Sequence, residues 1–400
     1  MHHSDSAAQH GPYSTTSVDA GLTSPAHSSS APRHVGFVGT YPPTECGIAT
    51  FSANVRDALL DARPHWRISV VSLVDEVPEC SAPEVSYWRR ASASSLAASI
   101  EHLNACDTVL LQHEFGIYPG RDGESVFELV DALRVPLIVS LHTVLSSPSA
   151  NQYSIVQRLV DAADLVVVPS ESARSRLCAQ HRVRDVTVVA HGAAANFNDE
   201  RHLANAPTIL TWGLLGPGKG LEQGIEAVSQ LDDLDPTPHY LLAGRTHPNL
   251  RRDGDDPYRR SLQQMASLYG LGDVVHFDDR YLGWDALRAM VRRASVVLLP
   301  YQSRDQISSG VLVEALASGK PVVATRFAHA VELLSTGAGL LVDFDDVGAM
   351  ARALRVVLSR PELARYLSKR SCDVGHTLLW PQVGQRLGTI VEELTERVVR

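Results

Sequence analysis

The sequence predicts an α/β protein built from two doubly wound, Rossmann-like domains that face each other across a cleft. Three observations carry this. Short apolar, β-branched runs alternate with helical stretches along most of the chain, the pattern of parallel sheets covered on both faces. The alternation stops at a polar, strandless stretch, NFNDERHLANAP (196–207), and then restarts. The length of 400 residues exceeds one ordinary core and suits two.

In chain order, residues 1–31 are rich in Ser, Ala, His and Pro and hold no Arg or Lys. They lack the charged start and apolar centre of a signal peptide and read as a disordered tail. The first domain, 32–200, has strand candidates HVGFVG (34–39), RISVVSL (67–73), TVLLQ (108–112), PLIVSL (136–141), LVVVP (165–169) and VTVVA (186–190). Helical stretches fall between them at 48–62, 92–104, 124–133, 151–163 and 170–180. The second domain, 201–375, has strands at 208–213, 239–244, 273–277, 295–300, 321–325 and 339–344. Its helices are expected at 220–231, 257–269, 284–293, 309–318, 346–358 and 361–370. A last helix, about 381–398 within a segment 376–400, follows Trp380-Pro381. A crossing back onto the first domain is open to it, and periodicity does not decide the matter.

The bulk numbers narrow the function. An apolar fraction of 44% and a charged fraction of 20% are those of a soluble globular protein. No apolar run approaches the ~18–20 residues of a membrane span. A net charge of −9 argues against nucleic acid as a partner, because phosphate backbones call for basic patches. The 5 cysteines are odd in number and widely spaced, which fits a reducing cytoplasm without structural disulfides or zinc.

Ligands of doubly wound domains bind where strands end, so the loops there are the candidate site. The most informative is YQSRDQISSGVLVEALASGKPVVAT (301–325), between two apolar strands. Its helix has no polar stripe, so it is expected to be buried nearly all round, and Glu314 is its only charge. A buried carboxylate needs donors. Ser309 and Gly310 lie at the helix start, where free N–H groups and the dipole attract an anion. A ligand with a phosphate and neighbouring hydroxyls satisfies both. The bland alternative is an arginine partner for Glu314. In GLLGPGKGLEQ (213–223), glycines 213, 216, 218 and 220 wrap Lys219 ahead of a helix, a phosphate cradle without the Walker spacing. In GTYPPTECGIATF (39–51), Gly47 at a helix start permits close approach of a phosphate or sugar, or is a plain turn. Histidines end three first-domain strands, in QHEF (112–115), LHT (141–143) and AHG (190–192). An imidazole there can bond a sugar hydroxyl or move a proton. His142 is the best placed of them, and His191 reads first as a structural loop residue. Glu114 either orients an acceptor hydroxyl or pairs with an arginine. The three Asp-x-Asp pairs are no more than 45 acidic residues produce by chance, and no metal site is expected.

These motifs closely resemble the retaining glycosyltransferases of family 4. The likeness rests on Gly-Pro-Gly-Lys-Gly (216–220), on Gly310 and Glu314 with EALASGKPVVAT, and on CGIATF, QHEFGIYPG, LHT and GRTHPNL, and spans about 33–400. The resemblance implies the two-Rossmann-domain B-type fold and transfer of a sugar from a GDP- or UDP-linked donor, with retention and without a metal. It implies that Lys219, with Gly218 beside it, binds the donor diphosphate. The amides around Ser309 and Gly310 would also face the donor, and Glu314 would hold the ribose hydroxyls. His142 would contact the donor sugar, Gly47 would line the cleft, and Arg280 and Tyr281 would lie near the base. His113 and Glu114 fall on the acceptor side, and the acceptor is a glycan, lipid or small molecule.

Two positions depart from the family pattern. Gln306 stands where a glutamate is usual, eight residues before Glu314, and keeps hydrogen bonding without charge. Leu214 stands where an arginine is common, which removes a counter-charge unless Arg245 or Arg280 supplies it. QISSG and GLLGPGKG resemble a mannosyltransferase-like branch, which favours a mannose-like hexose. Two rival readings are a sugar-nucleotide 2-epimerase of the same architecture and a non-catalytic sugar-nucleotide-binding homologue.

Overall fold

A computed structural model describes residues 33–78, 83–90, 92–197, 206–247, 250, 251, 255–280 and 282–399. The expected tail (1–31), part of the 196–207 linker, and Tyr281 lie outside these.

The first sheet has seven parallel strands: β1 (His34–Gly39), β2 (Arg67–Val74), β3 (Val85–Arg89), β4 (Thr108–His113), β5 (Leu137–Leu141), β6 (Leu165–Val168) and β7 (Val186–Val188). The second has six: β8 (Thr208–Trp212), β9 (His239–Ala243), β10 (Val275–Asp278), β11 (Val296–Leu299), β12 (Val322–Thr325) and β13 (Gly339–Val342). The orders are β3-β2-β1-β4-β5-β6-β7 and β10-β9-β8-β11-β12-β13. Strands such as Val296–Leu299 are buried along their whole length, which is why they read as unbroken apolar runs.

The helices of the first half are α1 (Gly47–Ala62), α2 (Ala93–Asn104), α3 (Val126–Val130), α4 (Ala150–Ala162) and α5 (Glu171–Gln180). Those of the second are α6 (Leu221–Val228), α7 (Pro257–Leu268), α8 (Trp284–Arg293), α9 (Gly310–Ala317), α10 (Ala328–Leu334), α11 (Val347–Ser359) and α12 (Pro361–Gly375), and α13 (Trp380–Val399) follows. Cys46, Ser92, Ser149, Ser170 and Ser309 accept N-cap bonds from first-turn amides.

Three elements differ from expectation. α3 is shorter than 124–133. β3 was not anticipated, because VSYWR is an edge strand with only Trp88 fully buried. α10 was not anticipated either; its seven residues, AHAVELL, are too few to show a helical period.

α13 packs on the first sheet's domain. Val383, Leu387, Ile390, Val391 and Leu394 share a buried cluster with Val35, Phe37, Val55 and Leu59. A side chain at Gly384 would fall 2.1 Å from the Ala58 carbonyl oxygen, so the helices touch backbone to backbone there. Arg63 donates to both oxygens of Glu392 at 2.8 and 2.9 Å.

The strand order reverses between β1 and β4 in one sheet and between β8 and β11 in the other. Ligand crevices of open parallel sheets lie at such points. The loops placed there are 40–46, 114–125, 213–220 and 300–309. The two halves also touch directly. Ser170 Oγ donates to the Ile307 carbonyl at 2.8 Å, and Ile307 is buried in the first sheet's core. Asp305 accepts from the Ser146 amide at 2.8 Å and from Arg176 at 3.0 Å.

Candidate functional site

The four loops and the helices they feed enclose a cleft of about 590 Å³, a size suited to a small organic ligand. Gly47, Glu114, His142, Lys219, Arg245, Arg280, Gln306, Gly310 and Glu314 all line it. Residues 100 and more apart in sequence thus meet in one space.

On the second domain, Lys219 sits between Gly218 (φ +85°) and Gly220 (φ +66°). A Cβ at Gly220 would lie 1.8 Å from the Pro300 carbonyl oxygen, so only glycine lets this loop pass β11. Gly218 is exposed beside Lys219, and its carbonyl accepts from the Gln302 amide at 2.8 Å, which pins the loop to the next one. The Lys219 ammonium lies 4.1 Å from the Tyr301 ring centre, a cation–π contact that leaves its charge facing the cleft.

The start of α9 is only partly available. The Ser309 amide donates to His329 Nδ1 at 2.9 Å, and Ser309 Oγ accepts from Leu312 N at 3.2 Å. Ser309 is buried, with its amide and hydroxyl both engaged inside the chain. Gly310 and Val311 line the cleft instead, and first-turn N–H groups have no partner within their own helix. One turn on, Glu314 Oε2 accepts from Trp212 Nε1 at 3.3 Å. Burial pushes the Glu314 carboxyl up to about 7, with the Trp212 bond and the Arg288 charge pulling the other way. The Gln306 amide turns back on its own loop and donates to the Ser308 carbonyl.

Two arginines at the rim are already engaged. Arg245 reaches across to Glu45 at 2.8 Å, so it ties the second domain to the first. Arg280 donates to both oxygens of Asp278, at 2.9 and 2.6 Å.

On the first domain, His142 Nε2 bonds Gln112 Oε1 at 2.7 Å, and Phe51 meets its ring edge-on at 4.8 Å. Burial holds the imidazole down to about 3, with His191 and His113 nearby adding to the effect. Glu114 accepts from Thr143 Oγ1 and, at 3.0 Å, from the Phe115 amide; burial raises its carboxyl. Gly47 faces open space with no heavy atom near its missing side chain.

His113 lies elsewhere. It is the last residue of β4, fully buried, and its ring lies against Phe115 and Tyr118. Neither ring nitrogen has a hydrogen-bond partner, and burial lowers its pKa to about 4. It packs inward beside the sheet and is not among the cleft-lining residues.

The structure surrounds His191 with aromatic residues that motif reading passed over. Phe51, His191 and Trp380 form a cluster with ring centres 5.1 to 5.8 Å apart, and all three line the cleft. Trp380 arrives on α13 from the far end of the chain. Trp212 and Trp284 line the cleft from the second domain. Trp212 carried a usable signal, since it ends a strand at the ligand edge.

Residues 194–373 match the model of the family described as glycosyl transferases group 1. A lipopolysaccharide core biosynthesis glycosyltransferase, LpsE, of Rhizobium meliloti (strain 1021) is 30% identical over 184 residues, 46% of each chain. A GDP-mannose-dependent alpha-(1-6)-phosphatidylinositol monomannoside mannosyltransferase of Mycolicibacterium smegmatis is 30% identical over 178 residues, 43% of this chain and 44% of that one. The chain thus matches a little under half the length of these relatives. Among solved structures, Anabaena Alr3699/HepE in complex with UDP and glucose superposes with a TM-score of 0.73 at 17% identity, covering 90% of this chain and 100% of that one. Residues 194–373 are thus similar to the glycosyl transferases group 1 family, within a chain whose two-domain fold is shared with solved glycosyltransferases such as HepE.

Proposed function

We propose that the protein moves a hexose from a nucleoside diphosphate sugar to an acceptor hydroxyl. One observation carries the reading: Lys219, the first turn of α9 and Glu314 converge on one cleft, opposite His142 and His191. This is a phosphate site beside a hydroxyl site, with titratable groups facing both. The GDP-mannose dependence of one relative and the UDP held by one structural neighbour support a donor of this class. The mannosyltransferase-like motifs favour a mannose-like sugar.

In this reading the donor diphosphate lies against Lys219 and the Gly310–Val311 end of α9, which stabilise its charge as it leaves. Ribose hydroxyls donate to Glu314. The bond from the sugar's anomeric carbon to the diphosphate oxygen breaks, and the acceptor oxygen bonds that carbon on the same face. The acceptor proton passes to the departing diphosphate. The anomeric configuration is retained and no metal takes part. Glycan, lipid and small-molecule acceptors are all candidates in this reading, and a cytoplasmic location is part of the proposal. No helix among the described residues is long and apolar enough to cross a membrane.

The test is nucleotide release from a panel of UDP- and GDP-sugars, with and without candidate acceptors, followed by NMR of the product's anomeric centre. Acceptor-dependent release with a retained centre supports the proposal. Turnover of donor without acceptor, or binding without release, overturns it.

A further inference from the structure

The first domain places one imidazole against the anion-binding end of α9. A Cβ at Gly310 would lie 2.9 Å from both Cε1 and Nε2 of His191. The His191 ring therefore rests on the first residue of the helix. Its other nitrogen is committed: Nδ1 donates to the Gly192 carbonyl at 2.8 Å. A carbonyl only accepts, so Nδ1 carries the hydrogen and Nε2 is left as the cleft-facing atom. No described residue bonds Nε2.

We propose that His191 is a donor-site residue that takes a proton from solvent as the diphosphate binds and then donates Nε2–H to a diphosphate oxygen. This rests on the donor site argued above. Among the described residues, the second domain supplies one free cation there, Lys219, because Leu214 is apolar and Arg245 and Arg280 pair with Glu45 and Asp278. A bound diphosphate needs more positive charge than that. His191 is the group that can acquire it where it is needed, and it does so only while the ligand is present. Burial holds the imidazole down to about 4, so it is neutral at pH 7 until an anion arrives. Because His191 belongs to the first domain and Gly310 to the second, its bond to the diphosphate also rewards closure of the cleft.

Several titratable groups face His191 and must be separated from it. His142 and His329 both interact with it, and Glu314, Glu114 and Lys219 share the cleft. Glu314 matters most, since ligand hydroxyls on its carboxylate release a proton and offset the uptake.

The experiment is calorimetric binding of UDP-glucose and GDP-mannose to the full chain at pH 6 and pH 8, in buffers of different ionisation enthalpy. The phosphates of these diesters do not titrate in that range, so proton exchange reports on the protein. His191→Gln keeps the size and loses the charge. Relative to wild type it should bind the accepted donor roughly ten- to hundredfold more weakly at pH 6 and take up fewer protons, by up to about one per donor. The affinity gap should narrow at pH 8. Equal uptake and equal affinity in the two proteins overturn the proposal. Lys219→Ala separates this from the donor-site reading. If Lys219→Ala binds both donors like wild type, the donor site itself is misplaced; if it loses binding while His191→Gln does not, only the His191 role fails. Should His191→Gln not fold, nitrogen NMR of isotope-labelled histidine in the wild-type protein decides. Both ring nitrogens of His191 protonated in the complex support the proposal, and a neutral ring in the complex overturns it.

Discussion

The carboxylate of Glu332, on the second domain, accepts two hydrogen bonds from Ser172 on the first, from the amide at 3.0 Å and from the hydroxyl at 2.8 Å. Its other oxygen accepts from the Glu171 amide at 3.0 Å. These are first-turn amides of α5, so one domain supplies an anion to the helix dipole of the other. Glu332 is not among the residues that line the cleft. Glu332→Gln should weaken the contact between domains by about 1 kcal/mol, the scale of a charge at a helix start. Small-angle scattering of the ligand-free variant should show a larger radius of gyration. A profile identical to wild type would mean that this contact does not hold the domains together.

Lys219 is held by a π contact at 4.1 Å and by the glycine loop around it. Its removal costs the fold about 1 kcal/mol, because the lysine is half-buried over the buried Tyr301 ring. Loss of a charge-assisted bond to a diphosphate costs more. Lys219→Ala should therefore bind the donor about ten- to hundredfold more weakly at nearly unchanged melting temperature. Calorimetry and a thermal melt on one preparation check both halves of this.

Most of the fold was legible because parallel strands buried on both faces appear as apolar runs, and because serine caps mark where helices begin. The elements that escaped lacked these signals. β3 is an edge strand of half-exposed residues, and α10 is seven residues long. The site was legible to the level of loops and less so to that of atoms. His113 and His142 both follow apolar strands, yet one ends β4 inside the core and the other lies one residue past β5 at the cleft. Sequence spacing does not tell these cases apart, since successive residues of a strand point to opposite faces. The Ser309 amide looked free until α10, itself unread, brought His329 to it. Trp380 reached the cleft only through the return of α13.

Glu314 links stability to pH. Its carboxyl is pushed up to about 7 in the folded chain from an ordinary value of 4.5, with burial as the main cause. Between those values the folded state holds more proton than the unfolded one, so stability falls as pH rises from about 4.5 to 7. The cost is absent below the unfolded value and fully present above the folded one, where it amounts to about 3 kcal/mol. Glu314→Gln removes it. The variant should match wild type near pH 4 and be more stable at pH 8, by an amount on the order of 1–3 kcal/mol, while binding donor less well. Denaturant melts at the two pH values read the difference. A gap that fails to widen with pH would rule out Glu314 as the origin of the trend.

Gly192 and Trp380 test how α13 is coupled to the cleft. A Cβ at Gly192 would fall 2.2 Å from Trp380 Cε3, so the indole lies flat against a backbone that tolerates no side chain. The Trp380 amide also donates to the Ala193 carbonyl at 3.0 Å, and the Ala193 amide to the Leu378 carbonyl at 2.9 Å, which fixes the ring's approach. Gly192→Ala should therefore cost about 1–3 kcal/mol, as overpacking does. Trp380→Ala removes a half-buried ring that touches Phe51 and His191, at a cost of about 2–4 kcal/mol, somewhat below that of a fully buried tryptophan. In the double variant the methyl occupies space the indole has left, so the two costs should not add. A shortfall of about 1–2 kcal/mol from the sum is expected for residues in direct contact. Denaturant midpoints at constant slope give all four values. Additivity within error would show that the ring moves aside freely, and that the seat of α13 beside the cleft does not depend on Gly192.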